Sequence, residues 1–468
     1  MTTTGLLRCI TDETDMRDRI HGSAPVSRVA RGGVTAFFVY GAGFGLTYCS
    51  QLVIARVVGV DTYGVYAYVF AWMVVLAYFS ALGFDVGLLR FVPAYEAVRA
   101  WPLLQGVIQY AQRRATLVGL SVIFVGIWVV KAWASSPELR STFLAGFALV
   151  PILALVRIRC SAVRAFGGVV SALVPDRVVR DGTLIGILAV ASLGLGWTLN
   201  APFVMVATLI SSALGLVCAG LAMRHCRPRA IDDILPVYDA AAWRRAALPL
   251  VILGATEALM NRTGVILLGW IADTTNAGIY SLAFNIALVV TLPRIAVNTL
   301  FAPVISDLYT RSDKETMQVL ITRAASWTFY AGICIAAALF ILAEPLLGWF
   351  GAGYEAGVPA LRILLVSQVM AASAGSQLYV MTMTGHERSA AVLLVCCAMI
   401  NAGASAVLVG MFGLTGAAIG TAVSLVVWNV AMALFLRRRL NLLPGVLAIF
   451  RIPLEKEQGV ITGRERVM

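Results

Sequence analysis

The sequence predicts an all-α, polytopic membrane protein of about twelve transmembrane helices, arranged as two related six-helix lobes. Three observations carry this. Of its 468 residues, 60% are hydrophobic and 13% charged, with a mean hydropathy of +0.87, which excludes an ordinary soluble domain. The apolar residues gather into twelve runs filling over half the chain, most near the roughly 20 residues a helix needs to cross the hydrocarbon core. A short motif also recurs 214 residues on: Gly64-Val65-Tyr66 with Phe70 returns as Gly278-Ile279-Tyr280 with Phe284. A duplicated, almost wholly apolar chain is the usual plan of a transporter whose site lies between two related bundles.

Taken in order, residues 1–33 read as a tail, acidic around Asp12, Glu13, Asp15 and Asp18. It has no apolar core of a signal peptide, so the first span acts as the insertion signal. The first lobe, 34–224, holds runs at 34–54, 64–84, 115–134, 142–157, 178–197 and 202–223. Loop 225–245, with Pro228, Pro236, Asp232, Asp233 and Asp239, divides the halves. The second lobe, 246–438, holds runs at 246–271, 278–302, 325–347, 358–381, 389–411 and 414–436, and 439–468 is a second tail. Pro151, Pro249 and Pro293 fall inside runs, where neighbouring helices can satisfy the freed backbone groups. Each half ends on a basic cluster, Arg224, Arg227 and Arg229 or Arg437, Arg438 and Arg439. Six spans per half is an even number, so the halves run in the same direction, as parallel repeats about the membrane normal.

Basic residues set the expected orientation. With the N-terminus cytoplasmic, inside segments hold 28 of the 36 Lys and Arg, including Arg157, Arg159 and Arg164. Outside loops hold four: Arg56, Lys131, Arg140 and Arg362. That asymmetry places both termini in the cytoplasm. Trp133, Trp197, Trp270 and Trp349 fall at outer span ends, where amphipathic rings prefer the interface. The net charge of +12 is therefore topological and favours contact with anionic membrane lipids; no basic patch interleaved with aromatics points to nucleic acid. The eight cysteines are scattered without metal spacing, so they read as packing thiols, and no metal or other cofactor is expected.

Function is sought where charge is expensive, because an ionised group at the bilayer centre costs roughly 2.5–3.5 kcal/mol. Glu257, Asn261 and Arg262 lie in the first span of the second lobe, with Glu257 and Asn261 one turn apart. Arg262 reads either as an anion ligand in a central cavity or as half of a local pair with Glu257. Arg294 follows Pro293 and can serve a substrate or the carbonyl that the proline frees. Arg56 and Arg90, at opposite ends of the first hairpin, are substrate ligands or snorkelling side chains. Asp176, Arg177, Arg180 and Asp181 form two i,i+4 pairs, which fits a helix start at the cytoplasmic interface. The span charges are mostly cationic, which suits an anionic substrate, and guanidinium grips phosphate oxygens bidentately.

These residues resemble the Wzx-type polysaccharide flippases of the multidrug/oligosaccharidyl-lipid/polysaccharide exporter superfamily. The resemblance runs from Ala55-Arg56-Val57-Val58-Gly59 and Tyr63-Gly64-Val65-Tyr66 through Leu82-Gly83-Phe84-Asp85 and Leu89-Arg90-Phe91. It continues through Asn261-Arg262, Leu267-Leu268-Gly269, Gly278-Ile279-Tyr280, Asn298-Thr299 with Ala302-Pro303, and Thr384-Gly385-His386. It ends on Phe412-Gly413-Leu414-Thr415-Gly416-Ala417-Ala418. It implies a MATE-like fold in the bacterial inner membrane and a flippase for an undecaprenyl-pyrophosphate-linked oligosaccharide repeat unit, serving O-antigen, capsule or exopolysaccharide assembly. Substrate ligands would be Arg262, Arg294, Arg56, Arg90 and Asn261. Partner polymerases and glycosyltransferases would be expected. Members often carry an Asp two residues after the position of Arg262, where this chain has Gly264. If that acid couples a proton or sodium gradient in relatives, Glu257 or Asp85 must replace it here, or coupling differs.

Other classes fit less well. A membrane enzyme would want paired acids or a sizeable outer loop, and the outer loops are short, while His21, His225 and His386 all fall in expected cytoplasmic segments. A major-facilitator carrier would show a basic pair after Gly83-Phe84-Asp85-Val86-Gly87, where Leu88-Leu89 stands. The remaining rival is a cation-coupled small-molecule or drug exporter on the same fold.

Overall fold

The computed structural model describes residues 25–448 apart from 134–135, 195, 232–233, 311–312 and 447. The acidic run of the N-terminal tail, His21, Asp232 and Asp233 lie outside the described residues. Every regular element among the described residues is helical.

The first lobe comprises α1 (Pro25–Val58), α2 (Val60–Ser80), α3 (Phe84–Ala97), α4 (Trp101–Trp133), α5 (Pro137–Phe147), α6 (Leu149–Ala165), α7 (Val169–Leu173), α8 (Arg180–Ala189) and α9 (Ala201–Cys226). The second comprises α10 (Ala240–Ile271), α11 (Thr274–Ala287), α12 (Leu292–Thr310), α13 (Lys314–Ile341), α14 (Ala343–Gly348), α15 (Val358–Ala374), α16 (Gln377–Met383) and α17 (Glu387–Leu440). α1 starts within the segment read as a tail, and α10 starts within the segment read as the inter-lobe loop.

Ten stretches among the described residues are long and apolar enough to cross a membrane. Two details raise the number of crossings to twelve. The 54 residues of α17 would rise about 80 Å at 1.5 Å per residue, far more than the roughly 30 Å of one hydrocarbon core. Gly413, at φ 54° and ψ −125°, breaks it. A Cβ at Gly416 would lie 1.9 Å from the Leu408 carbonyl oxygen and one at Gly420 would lie 2.3 Å from Ser405 Oγ, so the two arms fold back against each other. The other crossing runs from Val169 to Gly194 and is interrupted by π-helical turns at Val174–Val179 and Val190–Gly194. The first and last described residues therefore lie on one face of the bundle, the terminal side. Arg56, Trp197, Trp270 and Trp349 mark the far side, with all three indoles more than half exposed.

Lipid offers no hydrophobic reward for helix association, so packing, small residues and interhelical hydrogen bonds must hold the bundle. The repeated motif supplies all three. Tyr66 stacks on Phe70 (5.7 Å, 18°) and its hydroxyl lies 3.3 Å from Thr208 Oγ1. Tyr280 stacks on Phe284 (6.1 Å, 20°) and its hydroxyl lies 2.8 Å from Thr421 Oγ1. In each half the tyrosine of the second span thus bonds a threonine of the sixth. The two glycines meet between the lobes: a Cβ on Gly278 would lie 2.6 Å from Gly64 Cα, and one on Gly64 would lie 2.3 Å from the Thr274 carbonyl oxygen. Thr275 donates to Asp61 across the same seam at 2.7 Å.

This seam can be tested. Gly64→Ala places a methyl against backbone that cannot swing away, so the far-side ends of α2 and α11 must separate. With the native cysteines removed, a disulfide between cysteines introduced at Asp61 and Thr275 is expected to form readily. Gly64→Ala is expected to lower its yield severalfold, and an unchanged yield would show that the seam tolerates the methyl.

Candidate functional site

A cavity of about 280 Å³ lies between the lobes. On α1, Phe44, Thr47, Tyr48 and Gln51 line it, at the spacing of one helix face. On α2, Tyr63, Tyr66 and Tyr78 line it, and α6 contributes Arg157. The second lobe adds Arg262, Ser281, Asn285 and Phe350.

The densest chemistry comes from the broken crossing. Pro175 opens the π-helical turn Val174–Val179, and the Arg180 N–H donates five residues back to the Pro175 carbonyl. A wider turn re-aims side chains and is common at functional sites. Here it swings Asp176 and Arg177 onto the cavity wall beside Arg180 and Asp181. Gly215 on α9 permits this, since a Cβ there would lie 2.8 Å from the Pro175 oxygen. Arg180 Nη1 donates to Asp176 Oδ1 and its Nε to Asp181 Oδ1, both at 2.8 Å. Thr47 Oγ1 donates to Asp181 Oδ2 at 2.6 Å and accepts from Arg177 Nη1 at 3.1 Å. The Arg177 guanidinium lies 5.1 Å from the centre of the Phe44 ring, and Gly43 leaves room for its stem, at 3.3 Å. The group read as a cytoplasmic helix start is therefore a cavity wall. The pair Asp176–Arg180 forms as expected, whereas Arg177 turns to Thr47 and Asp176 instead of Asp181.

Arg157 is the second correction. Assigned by sequence to a cytoplasmic loop, it sits inside α6 and lines the cavity. Its Nη2 and Nε donate to Asp85 Oδ2 at 2.8 and 3.2 Å, and its guanidinium stacks 3.4 Å from the centre of the Tyr78 ring. Asp85, offered as an ion-coupling residue, is buried and committed to that pair.

The expected ligands separate. Arg262 lines the cavity, facing Tyr78, Tyr63 and Tyr66 across the seam, and among the described residues no carboxylate lies within 4 Å of it. The local Glu257–Arg262 pair does not form. Asn261, one residue away and exposed, is not on the cavity wall. Glu257, also exposed, is acted on chiefly by Arg294 and then Arg157, one cation from each lobe. Arg294 itself stands with Glu257 and Tyr379 outside the cavity lining. Arg56 Nε donates to the Trp349 carbonyl, joining the lobes on the far side. Beside it Tyr48 meets Phe350 (5.2 Å), and Tyr354 meets both Phe350 and Tyr63 (6.0 Å each), forming an aromatic lid. Arg90 is 71% exposed and lies 3.8 Å from Glu387, joining α3 to α17 on the terminal side. Neither arginine lines the cavity.

Gly264 has a packing explanation. A Cβ there would lie 2.5 Å from the Tyr280 ring, so the tyrosine that bonds Thr421 occupies the space an aspartate would need.

A family model described as "Polysaccharide biosynthesis protein" matches residues 29–309. No curated protein matches the sequence. Among solved structures, an inward-facing multidrug resistance MATE family transporter of the MOP superfamily superposes with a TM-score of 0.71 at 15% identity, over 85% of this chain and 94% of that one. An outward-facing one gives a TM-score of 0.66 at 15% identity, over 88% and 95%. A MOP superfamily transporter from Pyrococcus furiosus, described by a reverse polarity of its binding pocket, gives 0.66 at 15% identity over the same shares. At these identities the likeness establishes the fold.

Proposed function

The chain belongs to the polysaccharide biosynthesis protein family, and from that premise we propose that it flips an undecaprenyl-pyrophosphate-linked oligosaccharide repeat unit from the cytoplasmic to the periplasmic leaflet of the bacterial inner membrane. The terminal side is then cytoplasmic. The observation that carries this reading is the cavity's charge: Arg157, Arg177, Arg180 and Arg262 line it against Asp176 and Asp181. A pyrophosphate cannot cross hydrocarbon without replacement of its hydration. Guanidinium groups with donors to spare replace it, and bidentate geometry suits the phosphate oxygens. The polyprenyl tail stays in lipid while the lobes open alternately to either side. A proton or sodium gradient drives the cycle, with Glu257, on which the charges of Arg294 and Arg157 act, as the ion-carrying group. Polymerases and glycosyltransferases supply and consume the substrate.

A second reading, export of small cationic or aromatic molecules, is favoured by the ring-lined walls: Tyr48, Tyr63, Tyr66, Tyr78, Phe44 and Phe350 offer π faces to such cargo. Removal of the gene from its bacterium separates the two. Complete lipid-linked repeat units accumulating on the cytoplasmic leaflet, with loss of surface polysaccharide, is the expected outcome. Unchanged lipid-linked pools with heightened drug sensitivity would replace it by the second reading.

A further inference from the structure

A second cavity, of about 470 Å³, lies in the first lobe away from the seam. α4 and α9 form its walls and α6 its floor, near the terminal-side ends of α6 and α9. Gln105, Gln109 and Gln112 present one polar face of α4, while Arg159 rises from the floor and Arg224 stands on the rim. Arg227 also lines it, and no acidic residue is among its described lining residues. Arg159 spends Nη1 on the Leu216 carbonyl at 3.0 Å, and its buried Nε has no acceptor, as the buried Gln105 Oε1 has no donor. The charge acting most strongly on Arg159 is the like charge of Arg224. Gly220 makes this placement possible, because a Cβ there would lie 2.8 Å from Arg159 Nη1.

Arg159 and Arg224, sharing one cavity with an orphaned buried donor and no acid among its described lining residues, describe a site that suits an anion. What surrounds the opening identifies the source of that anion. From the cavity towards the middle of the bundle, α4 exposes Leu117, Leu120 and Phe124, and α9 exposes Leu221, Val217 and Leu214. Exposed apolar side chains therefore continue from the arginine end of the cavity along both helices. We propose that this groove binds an anionic phospholipid, its headgroup phosphate held by Arg159 and Arg224 and its acyl chains lying along α4 and α9. The site is separate from the central cavity and does not depend on the cargo assigned to it.

The test is lipid retention by the purified full chain in neutral detergent, read by native mass spectrometry with phosphatidylglycerol and phosphatidylcholine at equal concentration. A basic side chain near an anionic headgroup contributes about fivefold, so the two arginines are expected to give a preference of more than about tenfold for phosphatidylglycerol. Arg159→Gln with Arg224→Gln is expected to abolish it, and Arg224→Gln alone, at an exposed position that leaves folding intact, to reduce it severalfold. Arg262→Ala, in the central cavity, is expected to leave it unchanged. Equal retention of both lipids by the wild type, or full preference in Arg224→Gln, would overturn the proposal. So would loss of the preference in Arg262→Ala, which would move the lipid to the central cavity. Displacement by inorganic phosphate at comparable concentration would make this a site for the free ion and end the lipid assignment.

Discussion

Arg180→Ala is expected to produce the largest loss of stability of any single substitution in the cavity wall. The Arg180 side chain is 15% exposed and bridges Asp176 and Asp181 at 2.8 Å each, with Asp181 only 3% exposed. Removing the cation leaves Asp176, 38% exposed, with Arg177 at 3.8 Å, but leaves the buried Asp181 with only the Thr47 hydroxyl as a side-chain partner among the described residues. Breaking a buried pair by deleting one partner costs about 3–5 kcal/mol, a large part of the roughly 5–15 kcal/mol that keeps a domain folded. Thermal unfolding in detergent should therefore show a fall of many degrees in Tm. Arg180→Lys should recover part of it, since an ammonium is a point charge that cannot fork between two acids. The decisive comparison adds Asp176→Asn and Asp181→Asn to Arg180→Ala. Replacing a whole buried ionic group is far less costly than breaking it, so the triple variant should unfold above the single one. A single variant with unchanged Tm would mean that these charges are solvated and the network is not structural.

Most of the architecture was legible in the sequence. All twelve apolar runs correspond in order to crossings, and the hairpin at Gly413 falls between runs 389–411 and 414–436. The repeat was visible as letters, but its reason was not: Gly64 and Gly278 face each other, and the motif tyrosines reach threonines about 141 residues away. What sequence reading misplaced were charges, for one physical cause. Apolar runs are bounded by clustered charge, so run 142–157 stopped at Arg157 although α6 continues to Ala165, and run 178–197 took in Arg180 and Asp181 but left out Asp176 and Arg177. A signal was available. The run already carried Arg180 and Asp181 inside, and Asp176 and Arg177, four residues before them, belong to the same i,i+4 set. Arg56 and Arg90 were legible as residues of the lobe edges, but what each bonds, the Trp349 carbonyl and Glu387, depends on partners almost 300 residues away.

Arg262→Ala is expected to do the opposite of Arg180→Ala, leaving folding intact while nearly abolishing transport. Its guanidinium is the cavity cation contributed by the second lobe, and among the described residues no carboxylate within 4 Å depends on it. Its removal strands no buried acid, so Tm should change little. Among the described residues no side chain or carbonyl is hydrogen-bonded to its donors, and each hydrogen bond to a charged group contributes about 1.5–3 kcal/mol. Two such bonds to a pyrophosphate correspond to a loss of about 100-fold or more in flipping rate. The measurement is translocation of a polyprenyl-pyrophosphate-linked saccharide in proteoliposomes, made beside the unfolding curve of the same preparation. Arg262→Lys should fall between, keeping charge but not the fork. A correctly inserted Arg262→Ala that flips at the full rate would remove this residue from the substrate site. A substrate cycle sharpens the point: replacing pyrophosphate by monophosphate should slow the wild type strongly and slow Arg262→Ala little further. Groups that touch each other do not contribute additively, and that coupling would distinguish a phosphate ligand from a residue that merely shapes the seam between lobes.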